Sequence, residues 1–231
     1  MSYRIRGFSL VDSLVVLVVV MIGIALSMVV MKHQRREHRH PRQSSQLRGI
    51  HSALVLFSQG NNTYYPGFNT LGKTDGDITV EGRFKALLDD NYFTGEYIIS
   101  PSETKTALTQ MGVMPTTANY SYALLNLADE SSPRMAEWRD TSNSESVVVS
   151  DRAITNGKEG AIRSVHTNPR KDQTQWHGEV AYNDNHVTFE ATHDRLDTQY
   201  GDASFVHDNL FDTQGASLIY SGNDKIIDPG K

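Results

Sequence analysis

The feature that most constrains this chain is an apolar run of 24 residues, from 8 to 31, in which Asp12 is the only charged side chain. As a helix the run would be about 36 Å long, which exceeds the roughly 30 Å of hydrocarbon in a bilayer. A cleaved secretory signal has an apolar core of about 7–15 residues and ends in a small-x-small site. This run is longer, and "SMVVMKHQRREHRH" at its far end offers no such site. The sequence therefore predicts a transmembrane helix over 8–31.

Charge is unevenly distributed over the 231 residues. Residues 1–60 hold 8 Lys and Arg against 2 Asp and Glu, whereas residues 61–231 hold 14 against 25. The acidic part lacks the basic footprint that nucleic-acid binding requires, so no nucleic acid is expected as a partner. The chain has no cysteine, which excludes disulfides, thiolate metal sites and a cysteine nucleophile.

Basic residues flank the apolar run on both sides. Two precede it and five follow it: Arg4, Arg6, Lys32, Arg35, Arg36, Arg39 and Arg42. By the positive-inside rule alone, the C-terminal part of the chain would lie in the cytoplasm. The basic stretch 32–43 also indicates attraction to anionic membrane lipid.

The N-terminal pattern is recognisable. A short basic leader ends in Gly7, Phe8 follows, and an acid stands at Asp12, five residues after the glycine. This pattern resembles the class III signal of type IV prepilins and type II secretion pseudopilins. The resemblance implies that a prepilin peptidase cleaves between Gly7 and Phe8, that Phe8 becomes N-methylated, and that Asp12 is the acidic residue of the family. The family usually has Glu at that position.

The resemblance also implies an organisation and a location. It divides the chain into a leader (1–7), a transmembrane helix (8–31), a helical membrane-proximal stalk (32–60) and a globular pilin-like domain (61–231). The expected location is the bacterial inner membrane, with the C-terminal domain in the periplasm or outside. From this membrane the subunit is expected to be extracted into a fibre. The expected partners are the peptidase, other pilin-like subunits and the inner-membrane assembly machinery.

Asp12 has a physical role in this interpretation. A carboxylate in an apolar segment is costly unless it finds a partner. In a bundle of such segments, Asp12 of one subunit can pair with the cationic Phe8 amine of its neighbour, which would fix the register between subunits. The alternative is a plain membrane anchor, in which Asp12 lies at the headgroup boundary.

Hydrophobic periodicity predicts the elements that follow. Leu47, Ile50, Leu54 and Phe57 form an apolar helical stripe, so the long helix is expected to continue to Gln59, with a kink or local melting at Pro41. A short helix is predicted in 83–93. Strands are predicted in "EYIISPSE", "NYSYALLNL" and 145–152, and a hairpin in 178–191 that turns at Asn183-Asp184-Asn185 and pairs 179–182 with 186–189. The predicted fold class is α+β, with a long N-terminal transmembrane helix packed on an antiparallel sheet domain.

The C-terminal half shows a further resemblance. The pieces "ALLDDNYFTGEYIISPSE", "NYSYALL", "VVVSDR" and "WHGEVAYNDNHVTFE" occur in that order. They are similar to a variety of prepilin-type proteins that carry a His-rich hairpin with an Asp-Gly turn. Here His177 and "DNHV" occupy that region, and Asn185 replaces the usual glycine.

Four histidines and two acids in this half are candidates for a site: His166, His177, His186, His193, Asp184 and Asp194. Their spacing matches no catalytic or metal motif, so no catalytic residue and no enzyme activity are predicted. No cofactor is predicted; the alternative is a calcium ion, because oxygen ligands are dense in 193–212, with Asp194, Asp197 and Asp202 as weak candidate ligands. The stretch lacks the regular alternation of an EF-hand loop.

Three functions remain in competition on these grounds. The leading hypothesis is a pseudopilin or minor pilin-like structural subunit of a type II secretion or type IV pilus-like fibre. The second is a membrane-anchored extracytoplasmic binding domain, and the third is a membrane-tethered enzyme. The leader distinguishes the first from the others, because a simple anchor has no need of Gly7 followed by Phe8.

Overall fold

The computed structural model describes residues 14–15, 17–21, 39–155, 162–167, 175–222 and 227–228. The chain divides into two compact units, Met1–Pro41 and Arg42–Lys231. In the first unit, the described residues 14–15 and 17–21 are helical, and their apolar side chains are exposed.

The predicted fold class, α+β with a long N-terminal transmembrane helix packed on an antiparallel sheet domain, is wrong. The described part of the chain is mostly antiparallel sheet with three short helices. None of those helices combines the length and the apolar character that crossing a membrane requires. The longest has 22 residues and carries Arg, Gln, Ser and His side chains, which a hydrocarbon environment would disfavour. The predicted segment 8–31 lies largely outside the described residues.

Helix α1 (Arg39–Gly60) places the predicted apolar stripe in the core. Leu47, Ile50 and Leu54 are fully buried, and Phe57 packs against the same core. The predicted end at Gln59 is correct to within one residue. The backbone is helical on both sides of Pro41, so the predicted local melting there is wrong.

Helix α2 (Val80–Asp89) corresponds to the short helix predicted in 83–93. It begins earlier because Thr79 caps it: the Thr79 hydroxyl accepts a hydrogen bond from the Gly82 amide at 3.0 Å. It ends before Asn91, whose φ of 58° is left-handed. A 3-10 helix, Pro133–Glu137, is the third helix.

Ten short strands form three sheets within the described residues. The strands are β1 (Tyr122–Leu125), β2 (Val147–Asp151), β3 (Ala153–Thr155), β4 (Ile162–Arg163), β5 (Gly178–Tyr182), β6 (Val187–Glu190), β7 (Leu196–Tyr200), β8 (Ala203–Asp208), β9 (Leu218–Ile219) and β10 (Ile227–Asp228). The main sheet has the order β6-β5-β2-β1-β9 and is antiparallel throughout. A second sheet has the order β10-β3-β4, with β10 parallel to β3, and a third pairs β7 with β8.

The predicted hairpin is confirmed as β5 and β6. Glu179 pairs with Phe189 and Ala181 with Val187, as predicted from the alternating pattern. Asn185 provides the left-handed residue of the turn, with φ at 71°. Strand β2 is buried at all five positions, as its continuous apolar run predicts. The predicted strand in "EYIISPSE" is wrong, because its amides make local turn bonds such as Ile99 N to Glu96 O at 3.3 Å.

The core also contains a buried charge. Arg83 is fully buried, with its guanidinium 4.6 Å from the centre of the Trp138 ring and Nη1 donating to the Leu125 carbonyl at 2.8 Å. Burial lowers the pKa of Arg83 to about 9, so the side chain keeps its charge at neutral pH. Arg83 thereby joins α2 to β1 and to the residue that follows the 3-10 helix.

Candidate functional site

The structure separates the four candidate histidines. His166 and His177 lie together, with ring centroids 6.4 Å apart, and the Phe189 ring packs against both. His186 instead stacks on Tyr182 at 4.1 Å, and its Nδ1 contacts Asp184, two residues earlier in the turn. His193 packs near Phe211 on another part of the domain.

The His166–His177 pair is organised around Asp151, at the end of β2. Asp151 is fully buried, and its Oδ2 accepts hydrogen bonds from the Glu179 amide at 2.7 Å and from His166 Nε2 at 3.1 Å. A side chain at Gly178 would approach Asp151 Oδ2 to 2.8 Å, so a residue without Cβ is required there. His177 Nε2 donates to the His166 carbonyl at 2.9 Å and closes the group.

Glu179 is the most unusual member of this cluster, which comprises Asp151, His166, His177 and Glu179. Only 1% of Glu179 is exposed. Its Oε1 accepts a hydrogen bond from the Ser44 hydroxyl of α1 at 2.9 Å, and its Oε2 is buried with no hydrogen-bond partner among the described residues. Burial raises the pKa of Glu179 to about 7; the Ser44 bond opposes this, and the negative charge of Asp151 adds to it.

The same surroundings also raise the pKa of His166. Burial disfavours the charged imidazole, but the hydrogen bond to Asp151 and the negative charges nearby outweigh it, so the pKa of His166 is raised. At mildly acid pH the cluster therefore favours a protonated His166 and holds a largely neutral Glu179. The cluster can take up and release protons near neutrality.

The chemistry open to the cluster is limited by how its groups are used. The Ser164 hydroxyl donates to the His177 carbonyl, and the Ser44 hydroxyl donates to Glu179. A serine nucleophile would instead need a hydrogen bond from its hydroxyl to an imidazole nitrogen that acts as the base. The described bonds instead join β2, β5 and α1, so the arrangement is suited to bracing the sheet.

The comparisons with known proteins assign no function to the cluster. No protein-family model, curated protein or solved structure matches the chain. The contacts and charges of the cluster are therefore the basis for its role, and the N-terminal resemblance stays a prediction.

The predicted processing and assembly residues cannot be placed on this fold. Gly7, Phe8 and Asp12 lie outside the described residues. Their predicted roles in cleavage, N-methylation and subunit assembly therefore stay predictions.

The structure does not bring the calcium candidates together. Asp194 accepts a hydrogen bond from Thr192 beside it, Asp197 accepts one from the His207 amide at 3.0 Å, and Asp202 lies in the turn between β7 and β8. Asp194 and Asp197 thus accept hydrogen bonds from nearby protein groups, as acidic residues in turns often do. Within the described ranges, which include all three, no group of three or more His, Asp or Glu side chains could hold a metal ion.

Asn183 is a second buried polar centre, and the sequence predicts only a turn residue there. Its side chain is 1% exposed and makes bonds in two directions. Its Oδ1 accepts from the Tyr65 hydroxyl at 2.7 Å and from His51 Nε2 at 3.2 Å. Its Nδ2, which carries two hydrogens, lies within hydrogen-bond distance of three acceptors: the Glu137 carbonyl at 2.9 Å, the Arg139 carbonyl at 2.8 Å and the Thr141 hydroxyl at 2.8 Å.

Sequence periodicity contains a signal for both polar centres. Glu179 and Asn183 are separated by four residues along β5 and its continuation, so their side chains point to the same face. Their partners on α1, Ser44 and His51, are seven residues apart and share one helix face. Local patterns predict only a turn at Asn183 and do not single out Glu179, because the bonds of both residues to α1 join positions 132 and 135 residues apart in the chain.

Proposed function

We propose that this protein is a pseudopilin or minor pilin-like structural subunit of a type II secretion or type IV pilus-like fibre. The observation that carries the proposal is the leader pattern: a basic start, Gly7, Phe8, and a single acid, Asp12, in a 24-residue apolar run. The pattern is specific because each of these positions has a separate chemical use in processing or assembly.

The proposal includes a location and partners. The chain is held at the bacterial inner membrane by its apolar N-terminal segment, with the domain after residue 60 in the periplasm or outside. A prepilin peptidase processes it, other pilin-like subunits assemble with it, and an inner-membrane machinery drives that assembly. Anionic lipid is the expected contact of the basic stretch 32–43.

Two features of the described residues support a structural role. Leu14, Val15 and residues 17–21 are helical with exposed apolar side chains, a surface that favours association with lipid or with a neighbouring subunit. The polar groups of the Asp151 cluster form hydrogen bonds between β2, β5 and α1. These bonds stabilise the domain and leave few polar groups of the cluster available to a substrate.

Processing provides the direct test. In a host with an active prepilin peptidase, the mature chain is expected to begin at an N-methylated Phe8, as measured by intact mass and N-terminal sequencing. Gly7→Leu is expected to abolish cleavage, because the peptidase must accommodate the residue before the cut. Gly23→Leu, the same change inside the apolar run, is the control and should be cleaved normally. A wild-type chain that retains residues 1–7 in that host would contradict the proposal.

Asp12 separates a fibre subunit from a plain anchor. Asp12→Ala is expected to leave cleavage at Gly7 nearly intact and to reduce incorporation into a fibre, because the neighbour's Phe8 amine loses its partner. Asp12→Glu should retain most assembly, and Asp12→Asn should behave like Asp12→Ala. The measurement is the subunit in the sheared fibre fraction against the subunit in the membrane fraction. Equal fibre yields from Asp12→Ala and the parent would favour the plain anchor.

A second candidate function is a membrane-anchored extracytoplasmic binding domain. The observation that favours it is a cavity in the Arg42–Lys231 unit with two cationic side chains in its wall. The two candidates are compatible, since a fibre subunit can also carry a ligand site.

A further inference from the structure

A cavity of about 580 Å³ lies between the loop after α1 and the 3-10 helix Pro133–Glu137. Tyr64, Phe68 and Met135 form its apolar wall, and Lys73, Arg139 and Glu130 are its charged residues. Its volume lies within the roughly 300–1,000 Å³ of small-molecule sites, which combine apolar walls with a few polar groups.

The walls of this cavity are fixed by backbone contacts. Tyr64 makes an antiparallel bridge to Arg139, and Phe68 makes one to Thr74, so both aromatic residues are anchored at the backbone. Asn61 Nδ2 donates to the carbonyls of both aromatic residues, at 3.1 Å to Tyr64 and 2.7 Å to Phe68. Gly72, with φ at +72°, lies so close to the Tyr64 hydroxyl that a Cβ would come within 2.4 Å of it. The cavity is therefore formed before any ligand binds.

The two cations in the wall lack anionic partners. Neither Lys73 nor Arg139 has an ion pair or a side-chain hydrogen bond among the described residues. The Arg139 guanidinium lies 5.9 Å from the centre of the Tyr64 ring, and its Nε is buried with no hydrogen-bond partner in the same part of the structure. Glu130, the one acid in the wall, accepts a hydrogen bond from Thr74.

This combination has a chemical meaning. The Arg139 guanidinium has no anionic partner among the described residues, and a carboxylate is the acceptor whose planar geometry matches a guanidinium. The Tyr64 and Phe68 rings, with centroids 6.0 Å apart and planes inclined at 54°, both line the cavity and give it an aromatic wall. Lys73 adds a second positive charge at the same wall.

We propose that this cavity binds a small ligand in which a carboxylate is attached to an aromatic body. The carboxylate lies at Arg139 and Lys73, and the aromatic body packs against Tyr64, Phe68 and Met135. A free aromatic acid and the C-terminal aromatic residue of a peptide share this chemistry. The proposal is independent of the leader, because every residue in it belongs to the described C-terminal unit.

The test is calorimetric titration of the full chain in detergent with N-acetyl-phenylalanine and with its amide. The acid is expected to bind at least about tenfold more tightly than the amide, because only the acid carries a carboxylate to which Arg139 can donate. Lys73→Gln and Arg139→Gln are each expected to weaken binding of the acid by about tenfold or more. Arg195→Gln, which removes an exposed arginine elsewhere, is the matched control and should bind as the parent does.

The outcomes distinguish a peptide ligand from a free acid, and they decide whether the proposal holds. Tighter binding of Gly-Gly-Phe than of N-acetyl-phenylalanine supports a peptide C-terminus, and weaker binding supports a free acid. Equal binding of acid and amide, no binding of any probe at millimolar concentration, or unchanged affinity in Lys73→Gln would overturn the proposal. Lys73 is exposed, so its variant reports on binding even if Arg139→Gln does not fold. Cleavage at Gly7, measured separately, is unaffected by these results.

Discussion

Replacing Asn183 with alanine is expected to lower the free energy of unfolding by about 3–5 kcal/mol. The change removes acceptors for Tyr65 and His51 and donors for the segment after the 3-10 helix. These groups stay buried in the variant, so each loses a bond that water cannot replace. The effect is large because one side chain serves both α1 and a neighbouring loop.

Chemical denaturation of the parent and of Asn183→Ala at pH 7 measures this effect. Asn209→Ala is the matched control, since Asn209 makes one described side-chain bond, to the Phe211 amide at 3.1 Å. We expect a loss of about 1 kcal/mol in the control. Similar losses in the two variants would show that the Asn183 bonds add little beyond a single turn contact.

Replacing Glu179 with glutamine is expected to stabilise the domain above pH 7 by up to about 3 kcal/mol and to change little near pH 5. The pKa of Glu179 is raised from 4.5 to about 7 in the folded chain. The folded state therefore binds one more proton than the unfolded state between these values. The stability of the protonated form is fully present below pH 4.5 and is lost as the pH rises to about 7. Glutamine keeps the acceptor for Ser44 and carries no charge.

The measurement is the free energy of unfolding of both chains at several pH values between 5 and 8.5. Glu145→Gln, at an exposed position, is the control and should follow the parent. The raised pKa of His166 gives the parent a second loss of stability as the pH rises, and Glu179→Gln should retain the part of that loss that the contact with Asp151 causes. Parallel curves for the parent and Glu179→Gln would contradict the assignment of the proton to Glu179.

Local patterns in the sequence predict the elements whose stability is local or whose burial is one-sided. The stripe Leu47, Ile50 and Leu54 predicts the buried face of α1, and the alternation around the Asn183–Asn185 turn predicts the hairpin with its register. In "EYIISPSE" the same reasoning is wrong, because turn bonds between neighbouring residues satisfy the backbone without a partner strand. The order of β1 and β9 in the main sheet depends on contacts across about a hundred residues, which no local pattern contains.

The sequence predicts only part of the candidate site. His166 and His177 are both singled out by the sequence, but Asp151 lies in a strand that the sequence predicts only as buried core. Its convergence with Glu179 depends on the register of β2 against β5, where Ser150 lies opposite Val180. The predicted α+β fold class is wrong for a different reason. The prediction is based mainly on the long apolar run 8–31, whereas the described fold consists mainly of short strands.

The contacts between α1 and β5 also have a consequence in time. Ser44 and Glu179 are 135 residues apart, and His51 and Asn183 are 132 apart. At ~5–20 residues per second, the ribosome needs roughly 7–27 s to synthesise the partner strand after α1 has been made. During that interval Leu47, Ile50 and Leu54 have no sheet to cover them, so the nascent chain presents an apolar helix face to the cell. Within the Arg42–Lys231 unit, a chaperone that binds such faces would bind first at α1, and it would be released when β5 has been synthesised.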